Sequence, residues 1–332
     1  MPTLASSSNE PLIGCQFNKA AYRTFCSTEK SIPLFSQDWW LDIVCGEANW
    51  EVLLIEQEGR MQAALPLYIP YQKVVSMPWF TQTMGPWFAP ETEDTKYATG
   101  LGRRQQLCKV FIEALKAYPY FFQQFHYTVT DWLPFYWAGF QQTTRYTYLL
   151  NDLSDPDRLW GEMSQQTRRN ITKAREKYHI TVRKGVPVED FLKINQQSFE
   201  RQQITSLPNK EILTSLITTT RERQQGDIWG GYDAEGRLHA AVFMVWQEST
   251  AYYIAGGGDS VLRGSGAHSL VMWECIRYAS QVSGRFDFEG SMLPGVERFF
   301  REFGGIQTPY FAITKGKLSL LHKGWLKLKR LF

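Results

Sequence analysis

Residues 259–275 read DSVLRGSGAHSLVMWEC, and this stretch decides how the second half of the chain folds. An Arg-Gly-Ser-Gly turn at residues 263–266 stands directly before an apolar run with helical spacing. Glycine relieves backbone strain at a tight turn, so geometry alone could explain the pattern. A glycine-rich loop that opens a helix also directs backbone N–H groups and the positive end of the helix dipole at an anion. The rest of the sequence has to decide between a tight turn and an anion-binding loop.

The segments around this stretch predict a mixed α+β fold. Three consecutive strands precede it, in DIWGGYDA, HAAVFMVWQE and TAYYIAGGG. A helix follows in AHSLVMWECIRYASQ, then a strand in RFDFEG, a helix in GVERFFREFGG and a strand in TPYFAIT. An earlier round of helices and strands precedes residue 151. The turn EGR occurs between two predicted strands in each round, at residues 58–60 and 235–237, which hints at an internal duplication.

Composition limits the classes of protein that this chain could be. Its 332 residues fit about two domains. The five cysteines are widely spaced without a CxxC pair, so we expect reduced thiols in a cytoplasmic protein and no metal. No signal-peptide pattern opens the chain, and no stretch approaches the ~18 apolar residues of a membrane span. The net charge of +3 argues against a role in DNA binding.

The order of elements resembles the fold of the GNAT acyltransferases. That family binds the pyrophosphate of acyl-coenzyme A with an Arg/Gln-x-x-Gly-x-Gly/Ala loop at the start of a helix. The matching positions here are Arg263, Gly264, Ser265, Gly266 and Ala267, followed by His268 where the family has glycine or alanine. The stretch GRFDFEGSMLPGVERFFREFGG resembles the C-terminal signature of the FemAB-like group, which has two GNAT domains. QQTRRNITKAREK resembles the basic helix that opens the second half of those proteins.

The resemblance implies tandem GNAT-like domains, each a mostly antiparallel central sheet flanked by helices. We expect a disordered tail over residues 1–15, an N-terminal domain over 16–152 and a C-terminal domain with the glycine loop over 153–314. Residues 315–332 carry six Lys or Arg and no acid, and they predict a basic amphipathic helix. This helix either docks on the body through its apolar stripe or lies on a membrane. In the second case residues 318–332 make a peripheral contact at the inner face of the membrane.

Two carboxylates follow the glycine loop in RFDFEG and are the candidates for catalysis. Strand alternation places Asp287 and Glu289 on one face, where paired carboxyls raise one pKa and provide a general base. Amine acylation needs such a base because an ammonium group cannot attack. The alternative is that Glu289 pairs with Arg298 or Arg301 and holds the following helix.

Six further residues are candidates for substrate binding. Arg169, Asn170 and Lys173 lie on the predicted basic helix, which suits a polyanionic ligand or is simply a solvated face. Trp79 and Gln82 in SMPWFTQTMGPWF either line the acceptor cleft or belong to the core. Tyr253 lies on the strand before the glycine loop. The histidines have no Ser or Cys partner at a recognisable spacing, so we expect no catalytic triad and no hydrolase.

The sequence therefore predicts an acyltransferase that moves an acyl or aminoacyl group to an amine, in cell-envelope or polysaccharide biosynthesis. The donor is acyl-coenzyme A or aminoacyl-tRNA, and the choice stays open at this point. A small molecule or precursor bound in the cleft between the halves is the acceptor, and loop residues 263–268 hold phosphate. The alternative is a catalytically silent GNAT-fold protein that binds an anionic ligand or acts as a membrane-peripheral scaffold.

Overall fold

A computed structural model describes residues 14–200 and 209–318. Its helices are α1 (Lys19–Thr28), α2 (Asp38–Cys45), α3 (Tyr97–Leu115), α4 (Leu133–Trp137), α5 (Pro156–Glu162), α6 (Gln165–Glu176), α7 (Val188–Glu200), α8 (Lys210–Glu222), α9 (Ala267–Val282) and α10 (Pro294–Arg301). Its strands are β1 (Gln16–Phe17), β2 (Trp50–Gln57), β3 (Arg60–Tyr71), β4 (Val74–Ser76), β5 (Trp87–Phe88), β6 (Tyr120–Gln124), β7 (Gln141–Leu150), β8 (Thr181–Lys184), β9 (Gly226–Tyr232), β10 (Leu238–Trp246), β11 (Thr250–Gly258), β12 (Arg285–Asp287) and β13 (Ile306–Gly316).

The strands form one continuous mixed sheet. Their order across it is β1-β2-β3-β4-β6-β13-β7-β12-β11-β10-β9-β8, and β5 pairs with β3 beside this path. Helices lie on both faces, so the mixed α+β class predicted from the sequence is confirmed. The halves share the sheet instead of each forming a separate one.

The two halves repeat one pattern of strands around a long helix. In the first half, the antiparallel hairpin β2–β3 is followed by β4, and β4 runs parallel to β6 with α3 between them. In the second half, the hairpin β9–β10 is followed by β11, and β11 runs parallel to β12 with α9 between them. The two EGR turns join the equivalent hairpins, which agrees with the hint of duplication in the sequence.

Strand β13 joins the two halves. β13 pairs antiparallel with β6 on one side and with β7 on the other. β7 in turn pairs with β12 of the second half. A strand that follows the whole second half in sequence is therefore inserted between two strands of the first half. The proposed domain limits of 16–152 and 153–314 remain a prediction about folding units, because the sheet runs across them.

Strand alternation divides the core into layers. Along β10, Ala241, Phe243 and Val245 face a layer that also contains Trp40 from α2 and Phe191 from α7, so helices of both halves pack on this side. The opposite face of β10 packs against α9. In the first half, the face of the strands that points away from the shared layer packs against α3 and α4. The shared layer explains why the halves form one body.

The basic helix of the second half is interrupted, contrary to the single long helix expected from the sequence. α5 ends at Glu162, and Met163 adopts an extended conformation. Ser164 then caps α6, since its hydroxyl accepts a hydrogen bond from the backbone N–H of Thr167. The Ser164 cap satisfies a backbone N–H of the first turn, so a new helix begins here.

The glycine run at the end of β11 allows α7 to lie directly on the strand. A Cβ atom added at Gly257 would stand 2.5 Å from the backbone oxygen of Ile194 on α7. The neighbouring backbone groups are bound by α7 side chains: Asn195 donates to the carbonyl of Gly256, and Ser198 accepts from the N–H of Gly258. Close backbone approach therefore requires glycine at position 257.

Both termini of the sequence extend past the part of the chain that is described. The expected N-terminal tail lies outside it except for residues 14 and 15. Lys315 and Gly316, expected to open the C-terminal helix, complete β13 instead, and residues 319–332 lie outside the described residues. No helix within the described ranges is long and apolar enough to cross a bilayer.

The contact between α7 and β11 predicts a selective effect of two glycine substitutions. We expect Gly257→Ala to lower the free energy of unfolding by about 1–3 kcal/mol, because the added methyl meets backbone that cannot turn away. Gly264→Ala is the matched control, since nothing lies within 4 Å of its Cβ position. Urea denaturation measures both. Equal stability of the two variants would contradict the close packing.

Candidate active site

A cavity of about 400 Å³ opens between the two halves where β11 and β12 stop pairing. Their parallel register ends with Tyr252 opposite Asp287. Ile254 and Glu289, which lie just beyond this point, line the cavity together with residues 77–82 of the first half. The structure thus brings the candidates Trp79, Gln82 and Glu289 together in one site.

Strand β7 of the first half holds the acidic segment in place. The Thr147 hydroxyl donates a short hydrogen bond to Oδ1 of Asp287, which also accepts the backbone N–H of Glu289 at 2.8 Å. The N–H of Phe288 donates to the carbonyl oxygen of Tyr148 at 3.1 Å. Asp287 is therefore a buried acid that binds the backbone of the segment, and Glu289 is the carboxyl that lines the cavity.

Burial perturbs both carboxyls. Removal from water raises the pKa of Asp287 to about 6, although the hydrogen bonds from Thr147 and from the Glu289 N–H oppose the shift. Burial, followed by the nearby Asp287 charge, raises the pKa of Glu289 well above its ordinary value. Oε1 of Glu289 is shielded from water and has no hydrogen-bond partner within the described residues. A carboxyl held in this way takes up a proton more readily than an ordinary glutamate does.

Two residues that line the cavity have a left-handed backbone conformation, which is unusual for residues other than glycine. Glu289 has φ of 64° and Phe80 has φ of 57°. Such a conformation in a bulky residue is strained and persists only where the surrounding structure imposes it. Here the next residue, Gly290, packs against the carbonyl oxygen of Tyr146 on β7. Strain, a perturbed carboxyl and an open cavity coincide at this site.

The sequence did not reveal the backbone conformation of Glu289. β12 ends at Asp287, and Glu289 beyond it has a left-handed backbone in place of the extended one that strand alternation assumes. The alternative of an ion pair between Glu289 and the following helix is wrong. Arg298 binds Glu302 and Arg301 binds Glu297, each at i,i+4 on the surface.

The glycine loop is a short 3-10 turn, Leu262–Ser265, that leads into α9. Gly266 has φ of 83°, and a Cβ atom there would stand 2.5 Å from the backbone oxygen of Asn170 on α6. Geometry therefore requires glycine at this position. The N–H of Ala267 is bound by the Ser265 hydroxyl at 3.3 Å, so it is not free to bind an anion as the sequence suggested. Arg263 is exposed and has no ion pair within residues 14–200 and 209–318.

A buried chain of hydrogen bonds that the sequence did not reveal holds this loop. Nδ1 of His239 lies 3.0 Å from the Ser265 hydroxyl, and its Nε2 lies 2.9 Å from a carboxylate oxygen of Asp233. Arg237 donates to the same carboxylate at 2.6 Å. His239 thus has a serine partner that its spacing in the sequence did not reveal. Ser265 is 1% exposed, so this chain fixes the loop and offers no nucleophile to a substrate.

The remaining candidates lie elsewhere. Arg169 and Lys173 line a shallow groove on α6 beside Trp160, and Asn170 supports Gly266 from the same helix. Tyr253 points away from the cavity because it alternates with Ile254, and its ring packs on Phe300 with centroids 5.3 Å apart. In the described ranges, no group of three or more His, Cys, Asp or Glu is arranged to hold a metal ion.

A second cavity of about 570 Å³ lies at the opposite end of β12. Arg285 lines it, donates to the Tyr127 hydroxyl at 3.2 Å and leaves its Nε without a partner in the described part of the chain. Burial, followed by the Arg285 charge, lowers the pKa of His126 to about 4, so this imidazole is neutral at physiological pH. Both cavities therefore border the strand that carries the acidic segment.

Comparison with known proteins identifies the fold. Residues 161–301 match the family model described as an acetyltransferase (GNAT) domain. The crystal structure of FemX superposes with a TM-score of 0.64 over 94% of this chain and 98% of FemX, at 12% identity. The chain therefore has the fold of FemX, and its second half matches the GNAT domain model.

Two other solved structures resemble this chain. The C-terminal domain of a candidate lysylphosphatidylglycerol synthetase from Agrobacterium fabrum has a TM-score of 0.56 at 11% identity, covering 93% of this chain and 96% of that domain. A protein of unknown function from Bacteroides thetaiotaomicron has a TM-score of 0.55 at 12% identity, and the match covers 90% of this chain and 99% of that protein. No curated protein sequence matches the chain. At these identities the likeness establishes the fold alone.

The hydrogen bonds of the Ser265 hydroxyl predict a loss of stability on its removal. We expect Ser265→Ala to lower the free energy of unfolding by about 1–3 kcal/mol, because His239 and the N–H of Ala267 lose a buried partner. Ser260→Ala, at an exposed position of the same loop, should have no measurable effect. Urea denaturation compares the two, and unchanged stability of Ser265→Ala would show that the buried chain does not hold the loop.

The burial of Asp287 predicts how stability depends on pH. Its pKa is about 6 in the folded protein and about 3.9 in an unfolded chain. Its stabilising contribution is therefore complete below about pH 4 and is lost as the pH rises through 6. We expect Asp287→Asn to raise the free energy of unfolding by on the order of 2 kcal/mol at pH 8 and to leave it unchanged at pH 4. Asp94→Asn at an exposed position is the control, and a pH-independent effect at position 287 would contradict the shift.

Proposed function

We propose that this chain is an N-acyltransferase that transfers an acyl or aminoacyl group to an amine bound in the cavity beside Glu289. The observation that carries the proposal is the Glu289 carboxyl itself. It lines an open cavity, burial raises its pKa, and its backbone is held in a strained conformation. These features are typical of a general base and have no evident use in stability.

The proposed reaction joins the amine nitrogen to the carbonyl carbon of the donor. Glu289 takes a proton from the acceptor ammonium, and the free amine then attacks the carbonyl. The new C–N bond forms as the C–S bond of a thioester or the C–O bond of an ester breaks. The proton can return from Glu289 or the amine to the leaving thiolate or alkoxide, so the reaction needs no further reactant. Asp287 has a positioning role, because it binds the backbone N–H of Glu289.

The cavity favours an acceptor that carries its amine on an apolar or planar group. Trp79, Phe80 and Ile254 form apolar walls, while Gln82 is fixed by a hydrogen bond to the Tyr310 hydroxyl at 3.2 Å. An apolar wall disfavours the charged form of an amine as well as that of a carboxyl. The cavity therefore promotes the neutral, nucleophilic amine.

The donor in this proposal is acyl-coenzyme A or aminoacyl-tRNA. Exposed Arg263 and the N-terminus of α9 provide positive charge for a donor phosphate, although the Ala267 N–H is already bound. One structural neighbour is named a candidate lysylphosphatidylglycerol synthetase, which fits an aminoacyl group as the transferred unit and the cell envelope as the setting. We also propose that residues 318–332 contact the inner face of a membrane. A catalytically silent protein that binds an anionic ligand is the competing function.

Substitution of the proposed base tests the function. We expect Glu289→Gln to lower kcat/KM by about 10²–10⁴-fold, because the amide cannot accept the proton. The wild-type rate should rise with pH as Glu289 loses its proton, at a pH above the range in which carboxyl groups usually titrate. The variant should lack this rise. The donor is first identified from the thermal shift with acetyl-coenzyme A or aminoacyl-tRNA, since a ligand at 100 times its Kd adds about 2.7 kcal/mol of stability. Turnover is then measured from the release of free thiol or of deacylated tRNA.

Glu235→Gln is the matched control, since Glu235 is an exposed carboxyl far from the cavity residues in the sequence. It should retain the wild-type rate and pH profile. A Glu289→Gln variant that binds donor but does not turn over would exclude the silent-protein alternative. A wild-type protein that binds a donor and transfers nothing to any amine would contradict the proposed function.

A further inference from the structure

The cavity at the start of β12 is distinct from the cavity beside Glu289, because different described residues line the two. Its volume of about 570 Å³ falls within the range of ~300–1,000 Å³ that is typical of small-molecule sites. Its walls come from residues 30–33, 84–91 and 126–131 of the first half and from Thr250 and Arg285 of the second. A ligand in this cavity therefore contacts both halves of the chain.

The guanidinium group of Arg285 has one edge without a partner. Its Nη1 donates to the Tyr127 hydroxyl at 3.2 Å. Its Nε is shielded from water and is bound by no atom of the described residues, and none of their hydrogen bonds uses its Nη2. Asp287, two residues further along β12, binds the Thr147 hydroxyl and the Glu289 N–H instead. The edge formed by Nε and Nη2 is suited to hold a carboxylate or phosphate through two parallel hydrogen bonds.

Both acids that line this cavity already have partners. Glu91 forms an ion pair with Arg103, outside the cavity lining. Asp131 accepts a hydrogen bond from the side chain of Gln105 at 2.8 Å. The free edge of Arg285 is therefore not neutralised by a carboxylate of the cavity wall.

The cations of the lining leave an excess of positive charge. Lys30 pairs with Glu248 at 2.8 Å on the surface. Arg104 lines the cavity and, within residues 14–200 and 209–318, has no ion pair, which is also true of Arg285. His126 is neutral at physiological pH, since burial lowers its pKa to about 4. Two unpaired guanidinium groups thus face a cavity in which no described acid is free to balance them.

Aromatic side chains form the apolar part of the wall. Trp87 and Phe88 line the cavity, and the indole N–H of Trp87 is fixed by the Ser31 hydroxyl at 3.0 Å. The Tyr127 ring packs on His126 with centroids 4.0 Å apart. Rings held in place in this way offer flat surfaces on which a planar ligand can stack.

We propose that this cavity binds an organic anion, a carboxylate or phosphate carried on an aromatic ring, through the free edge of Arg285. The anion provides the partner that the buried Nε–H lacks, and an unpartnered buried donor costs free energy. Arg104 adds a second positive charge, and the aromatic wall holds the ring. The proposal is independent of the reaction proposed at Glu289, because that residue lies beyond the other end of β12.

Ligand titration of the full chain tests this proposal. The probes are para-fluorobenzoate and para-fluorophenyl phosphate, followed by ¹⁹F NMR, with neutral para-fluorobenzamide and ring-free trifluoroacetate as the comparison compounds. We expect one or both aromatic anions to bind, and Arg285→Lys to weaken binding about tenfold or more, because lysine keeps the charge but not the paired donors. Arg298→Lys, at an exposed arginine that pairs with Glu302 on α10, is the matched control.

The Arg285 Nε–H signal of the wild-type protein provides a readout that does not depend on a stable variant. In ¹⁵N-labelled protein this signal, assigned with Arg285→Lys, should shift on addition of the aromatic anion and not on addition of the benzamide. Binding of neither anion, or binding without a shift of this signal, would overturn the proposal. Equal affinity for para-fluorobenzamide or for trifluoroacetate would also overturn it, since the first lacks the charge and the second lacks the ring. Transferase activity of Glu289 is measured separately and is unaffected by any of these outcomes.

Discussion

The backbone pairing of β13 is the constraint on which the rest of the structure depends. This strand is hydrogen-bonded along both edges, to β6 and to β7, so it lies inside the sheet between strands of the first half. β7 then holds the acidic segment of the second half through Thr147 and the Tyr148 carbonyl. Tyr310 of β13 binds Gln82 in the cavity wall. The site is therefore built from both halves, and β13 holds part of it in place.

The burial of two carboxyl groups at the site lowers the stability of the fold. Asp287 and Glu289 are carried into the core by Phe286 and Phe288, whose rings pack on one another with centroids 4.9 Å apart. Removing the carboxyls from water costs stability at neutral pH, and the same removal gives Glu289 its raised pKa. Strain at the Glu289 backbone adds to this cost. A site of this kind persists because the surrounding hydrogen bonds impose it.

Local patterns in the sequence predicted much of the fold. The hairpins around the EGR turns, the helix after the glycine loop and the shared site of Trp79, Gln82 and Glu289 follow from residues close in the chain or from the family resemblance. The insertion of β13 does not, because it joins strands that are far apart in the sequence. The Ser265–His239–Asp233 chain does not either, because the spacing of its three residues has no period that marks them as partners. The left-handed backbone of Glu289 was also missed, since glutamate has no special preference for that conformation.

The pKa of Glu289 is the quantity that tests this account most directly. Glutamate labelled with ¹³C at the side-chain carboxyl can be titrated by NMR, and the Glu289→Gln variant assigns the signal. The account predicts that this carboxyl titrates well above the range near 4.3 that is usual for glutamate, and that a neutral amine bound in the cavity perturbs its signal. A midpoint in the ordinary range, unaffected by amines, would contradict the role of Glu289 as the base.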